Sequence, residues 1–296
     1  MKKLILLLLS VIMMMPLPAH MATKKVKPPS LHLFTLQPGE VTPPIEGDGT
    51  WESEHPDIAV VSADGVITAV QEGYTLVLCN DNNGLSKVRA EVKVGNKAPP
   101  DSILKAVELA IRDWREAGGK VLEKKNVYTI WHNPAAKNGF GWCGAFVGYQ
   151  FSGAGVPMDK AYRQKDAPPL QDGTPFAVSQ ASQTKLYEGF VSRNRISGIP
   201  QVGYYVVYGK KGSTPYTHIG LVTRVEDLGE GKFLLETVEG NLSNRIKRFS
   251  YVYDSVAERK ERNIVPIPGH RQTQPETFYY DYVENFYLNV FGQTWY

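Results

Sequence analysis

Three short stretches of this chain carry residues whose types and order could do chemistry together. The first is Gly139-Phe140-Gly141-Trp142-Cys143-Gly144-Ala145-Phe146-Val147-Gly148-Tyr149. Glycines precede the cysteine. Cys143, Phe146, Val147, Gln150, Phe151 and Ala154 then recur at helical spacing until Gly153, Gly155 and Pro157 close the run. The pattern predicts a helix with Cys143 in its first turn. A helix N-terminus carries partial positive charge, which favours thiolate over thiol, and thiolate is the form that attacks carbonyl carbon. A buried structural cysteine on a packed helix would leave the same pattern, so a nucleophile needs a base elsewhere in the chain. Gly144 and Gly148 form a bare face along this helix, expected to let it press closely on a sheet.

The chain has six histidines. His20, His32 and His55 belong to N-terminal segments. His132, in Trp131-His132-Asn133-Pro134, has no second motif beside it and reads as structural. His218 opens Thr217-His218-Ile219-Gly220-Leu221-Val222-Thr223-Arg224-Val225. Ile219, Leu221, Thr223 and Val225 alternate onto one strand face, while His218 lies on the other beside Gly220, with room for a neighbour. The third stretch is Glu239-Gly240-Asn241, following a strand expected over residues 232–238. Glu239 and Asn241 share strand parity, so both would face the imidazole if the strand continues. A carboxylate would stabilise the imidazolium, whereas an amide would only fix its tautomer and orientation. Together these residues suit acyl transfer, with the Cys143 backbone N–H as one oxyanion donor. Asn138, Trp142 and His132 are the nearby choices for a second.

The elements that must position these groups are legible in outline. Residues 203–208 form a strand joined to the His218 strand through a Gly/Ser/Pro turn. A helix carrying the Cys against an antiparallel sheet carrying the His is an α+β, papain-like layout. Asp101 is expected to cap an earlier helix, in which Ile103, Ala106, Val107, Ala110, Ile111 and Trp114 form a core stripe and Gly118-Gly119 is the stop.

The N-terminal part is organised differently. Lys2 and Lys3 precede an apolar run over residues 4–15, broken only by Ser10. Pro16, Pro18 and the small residues Ala19 and Ala22 follow. This reads as a signal peptide over residues 1–22, because a spanning helix needs ~20 apolar residues. Export to the periplasm or outside the cell, with no membrane attachment after cleavage, is the expectation. Residues 23–44 are proline-rich and read as a linker or as the edge of a small domain. Short β-rich runs over 58–62, 66–70, 74–79 and 88–94, punctuated by Asp64-Gly65, Glu72-Gly73 and Asn82-Asn83-Gly84, predict a small all-β sandwich. Gly95 to Pro100 is the boundary. The expected organisation is a leader over 1–22, linker and sandwich over 23–96, and a catalytic domain over 100–296. Cys79 ends an apolar strand and Cys143 belongs to the second domain, so free thiols are favoured over a bridge.

Two resemblances sharpen this outline. Trp142-Cys143-Gly144-Ala145-Phe146-Val147, Thr217-His218-Ile219-Gly220-Leu221-Val222 and Glu239-Gly240-Asn241, in that order, resemble the CHAP amidohydrolase/peptidase family over residues 100–255. The resemblance implies a papain-like α+β fold and hydrolysis of amide bonds in peptidoglycan. Cys143 would be the nucleophile, His218 the base, and Glu239 or Asn241 the third group. Where the family often has an Asp before the His strand, this chain has Tyr204, within Pro200-Gln201-Val202-Gly203-Tyr204. That departure is expected to affect turn stability or substrate contact. Trp51-Glu52-Ser53, Pro56-Asp57-Ile58-Ala59-Val60-Val61, Gly65-Val66-Ile67-Thr68-Ala69-Val70 and Gly73-Tyr74-Thr75-Leu76-Val77 resemble the bacterial Ig-like domain, group 2, whose members usually serve as spacers or adhesive stalks.

Other function classes fit less well. A formal net charge of +3 and the lack of a Lys/Arg cluster interleaved with aromatics argue against nucleic acid. No HExxH or HxH pattern occurs, which argues against a catalytic zinc, and no cofactor or metal is expected. A non-enzymatic surface adhesin on a papain-like scaffold is the main alternative, and the intact Cys, His and Glu/Asn set argues against it. The aromatic-dense stretch over 278–287 reads as packing across the catalytic domain, with a glycan groove as the other choice.

Overall fold

The computed structural model describes residues 29–159, 174–213, 215–257, 264–265 and 286–296. The leader read over 1–22 lies outside these residues, as does the aromatic stretch up to residue 285. Among the described residues no helix is long and apolar enough to cross a membrane.

The N-terminal unit is all β. Its strands are β1 (Ser30–Leu36), β2 (Thr50–Ser53), β3 (Ala59–Val61), β4 (Ile67–Ala69), β5 (Gly73–Asn80) and β6 (Ser86–Val94). They form a sheet of order β1-β6-β5-β2 and a separate β3-β4 pair. Ile58, Ile67, Val77, Cys79, Val88, Ala90 and Val92 fill the space between them, with Trp51 partly buried against this core. The proline-rich segment is therefore more than a linker: β1 runs parallel to β6 at the sheet's edge, from Ser30 opposite Val88 to Leu36 opposite Val94.

The second unit is mixed α+β. It contains α1 (Asp101–Ala117), α2 (Val127–His132), α3 (Cys143–Gly153), β7 (Met158–Asp159), β8 (Ala177–Val178) and α4 (Gln183–Val191). These are followed by β9 (Ile196–Ser197), β10 (Tyr205–Lys210), β11 (His218–Gly229), β12 (Lys232–Glu239), β13 (Lys247–Asp254), β14 (Ile264–Val265) and β15 (Phe286–Gly292). Seven strands form one sheet in the order β14-β13-β12-β11-β10-β15-β9, with antiparallel neighbours throughout. The last strand, β15, inserts between β10 and β9, so Phe286 and Tyr287 belong to the sheet.

Helix α1 buries Ile103, Ala106, Val107 and Ala110, and Gly118 ends it in the left-handed conformation at φ 53°. Pro100, not Asp101, is its N-cap; Asp101 lies in the first turn, where its charge favours the helix dipole. Helix α3 is buried on almost every side, with Phe151 stacked on Tyr205 of the sheet at 5.2 Å between ring centroids. Its bare face does not meet the sheet. A Cβ at Gly144 would stand 2.3 Å from the Gln180 carbonyl oxygen, and one at Gly148 would meet the Trp131 ring. The close approach on the sheet side is made by Gly240, where a Cβ would lie 2.6 Å from Phe146 Cβ.

The two units touch through buried polar contacts. Glu91 of β6 accepts from the Gly198 N–H at 2.6 Å and from Ser197 Oγ at 3.0 Å. Tyr74 packs against Tyr296, and Lys97 Nζ donates to the Tyr296 carbonyl at 3.0 Å. Cys79 and Cys143 are both free, one in each core.

Candidate active site

Trp142 is the N-cap of α3 and Cys143 its first helical residue. The Trp142 ring is fully buried, stacked on Tyr128 at 5.4 Å and close to Gly240. It anchors the helix start and is taken up by packing. His218 is the first residue of β11 and pairs with Tyr208 of β10, whose ring stacks on the imidazole at 6.0 Å. Glu239 is the last residue of β12. Its side chain lies over Gly220, where a Cβ would stand 2.7 Å from Glu239 Cγ. Only a glycine at 220 leaves this path open, and through it Glu239 Oε2 comes within 3.0 Å of His218 Nε2. The contact is an ion pair set off the axis of a straight hydrogen bond.

His218 is also in hydrogen-bond contact with the Cys143 sulfur. Since Nε2 faces Glu239, Nδ1 is the ring nitrogen left for the thiol. Burial alone would raise the Cys143 thiol; the contact and charge of His218, Gln183 and the Gly144 backbone N–H outweigh it and hold the thiol below its ordinary range. Burial likewise opposes a charged imidazole, and the contacts with Cys143 and Glu239 reverse that, pushing His218 well up. Both directions favour a thiolate–imidazolium pair.

Asn241 is placed differently from Glu239. The strand stops at Glu239, and Asn241 takes a left-handed backbone with φ 67°. Its Nδ2 lies 3.5 Å from where a Cβ on Gly141 would be, in the segment just before Cys143. The shared parity expected of residues 239 and 241 is lost because the chain turns between them.

The second donor beside the sulfur is a residue that sequence reading missed. Gln183, at the start of α4, donates from Nε2 to Cys143 Sγ at 3.1 Å. Gly144 makes this possible, since its missing Cβ lets the 180–183 segment rest on the first turn of α3. Nothing local in the sequence marks Gln183; Leu186 and Phe190 in the core only announce a short amphipathic helix. Of the earlier choices, His132 stacks edge-on with Phe140 and Asn138 is exposed. Tyr204 does not line the site. It is fully buried and donates from Oη to the Trp295 carbonyl at 2.9 Å, so this departure serves the core and not substrate contact. Among the described residues there is no group of three or more His, Cys, Asp or Glu side chains placed to hold a metal ion.

A buried cysteine at a helix start, with an imidazole against its sulfur and a carboxylate behind the imidazole on one antiparallel sheet, is an arrangement compatible with a papain-like α+β fold. Residues 135–241 match the model of the CHAP domain, a span that contains Cys143, His218, Glu239 and Asn241. CHAP domains are typically peptidoglycan amidases or peptidases. No curated protein matches the chain.

Proposed function

We propose that the protein is an exported cysteine amidase or endopeptidase that hydrolyses amide bonds in peptidoglycan. The observation that carries this reading is the continuous contact from Cys143 through His218 to Glu239, with Gln183 also donating to the sulfur. Cys143 thiolate attacks the amide carbonyl carbon, and the charge that develops on oxygen is met by the Cys143 N–H and Gln183 Nε2. His218 passes its proton to the leaving amine as the C–N bond breaks, leaving a thioester. Water then attacks the thioester carbonyl, gives a proton to His218 and restores the thiolate. Glu239 stabilises His218 whenever it is the imidazolium and orients the ring in the thioester stage, and Asn241 is a contact on the approach to the sulfur. No cofactor or metal enters the scheme. The N-terminal unit, by its sequence resemblance to group 2 bacterial Ig-like domains, serves as a spacer that presents the enzyme to the wall.

The test is digestion of purified peptidoglycan by the wild-type protein and by Cys143→Ala, with products assigned by mass spectrometry. The expected result is new amine and carboxyl ends with wild type and none with the variant. Full release by Cys143→Ala would overturn the assignment.

A further inference from the structure

Glu239 is fully buried, yet its carboxylate is engaged on both oxygens. Oε2 faces His218. Oε1 accepts from Tyr208 Oη at 2.6 Å and from Thr237 Oγ1 at 2.7 Å. Tyr208 Oη is also 2.7 Å from Tyr251 Oη. The proton count fixes the direction of this chain. Tyr208 has one hydroxyl proton and gives it to Glu239, so Tyr251 must be the donor to Tyr208. Burial and the nearby charge of Glu239 push the Tyr251 phenol well up, which keeps that proton in place. Two hydroxyls, Tyr208 on β10 and Thr237 on β12, thus donate to one carboxylate, and Tyr251 on β13 donates to Tyr208.

We propose that Tyr208 and Thr237 form a hydroxyl clamp that holds the Glu239 carboxylate with Oε2 turned to His218, and that this clamp supports the positive charge on His218 and the negative charge on Cys143. The inference rests on the reading of Cys143 and His218 as a nucleophile–base pair. Burial withdraws water from the carboxylate, at a cost unless hydrogen bonds replace it. Two hydroxyl donors at Oε1 supply that replacement. Without them Oε1 is buried with no donor, the carboxylate loses the hold that aims Oε2 at His218, and His218 is better satisfied neutral. A neutral imidazole no longer supports the thiolate, and Cys143 reverts toward a thiol. The charged and titratable groups around His218 are Cys143 on α3, Tyr208 on β10, Glu239 on β12, and Tyr251 and Lys247 on β13. Lys247 is the cross-strand neighbour of Glu239. Tyr208 and Thr237 are positioning residues, since they act through Glu239.

The experiment follows alkylation of Cys143 by iodoacetamide against pH, by intact-mass spectrometry, in the full chain with Cys79→Ala so that one thiol reacts. Wild type should react at full rate well below the pH at which an ordinary thiol ionises. Tyr208→Phe keeps the ring on His218 and removes only the oxygen; Thr237→Val removes the other donor. The double variant should move the acid limb up by about one to two pH units, each single variant by less, and Glu239→Gln by at least as much as the double. A folded double variant whose profile superimposes on wild type overturns the clamp. Should the double variant not fold, the Tyr208→Phe profile decides alone, an unmoved limb counting against the proposal. An ordinary thiol profile in the wild-type protein would instead sink the Cys143–His218 pair itself, and the clamp with it.

Discussion

His218 Nε2 and Glu239 Oε2 meet 3.0 Å apart from adjacent strands, over a position where only glycine leaves room. That contact adds to the one with the Cys143 sulfur in pushing the His218 imidazole up. Glu239→Gln keeps the shape and removes the charge. Cys143 is held down and His218 held up, so the proposed ion pair spans the pH range between the two. Loss of the anion lets His218 fall, moving the alkaline limb of kcat/KM to lower pH. It also weakens support for the thiolate, moving the acid limb to higher pH. The window should narrow from both sides, and the maximum should drop by about 10²–10⁴-fold. The measurement is a pH profile on one defined muropeptide.

Gly220→Ala tests the same contact by geometry alone. The new methyl would stand 2.7 Å from Glu239 Cγ and 3.0 Å from Val206 Cγ1. Glu239 must shift, and a displacement of about 1 Å in such an array costs on the order of 10²-fold in rate. Circular dichroism should report an intact fold while turnover on the muropeptide collapses.

Gln183→Ala removes the side-chain donor at the sulfur. If that donor serves the oxyanion, kcat falls by about 10²–10³-fold with KM little changed. Gly144→Ala should reproduce the defect from a distance, because its methyl would press on the Gln180 carbonyl and drive the 180–183 segment off α3. Steady-state kinetics of both variants would reveal a mismatch.

Asn241 predicts a contrasting signature. Asn241→Gly preserves access to the left-handed backbone and leaves the Glu239 charge in place. Turnover should slow while both limbs of the pH profile stay where they are. A limb that moves as far as in Glu239→Gln would put Asn241 in the role assigned here to Glu239.

Glu91→Ala addresses the junction between the units. It strands the Gly198 N–H in a buried interface, while Ser197 Oγ keeps the Ile199 carbonyl as its acceptor. Urea unfolding should show a loss of about 1–3 kcal/mol, with the alkylation profile of Cys143 unchanged.

The amino-acid sequence by itself determined the local part of this arrangement. Helical spacing after Cys143 and the glycines before it put the sulfur at a helix start. Alternation after Thr217 put His218 and Gly220 on one strand face. The turn-punctuated runs before Gly95 gave β3 to β6 to within two residues, because periodicity and turn chemistry act over a few neighbours, whereas β1 and β2 were not read as strands. Tertiary structure decided the rest. Glu239 and Asn241 looked equivalent by parity, and a left-handed turn after Glu239, stabilised by nothing visible in the alternation, separated them. Gln183 reaches Cys143 from a helix 40 positions away, and β15 enters the sheet between β10 and β9. Tyr204 turned inward to the Trp295 carbonyl. Each of these depends on which distant surfaces pack together. That choice is made by the whole core, and no local pattern encodes it.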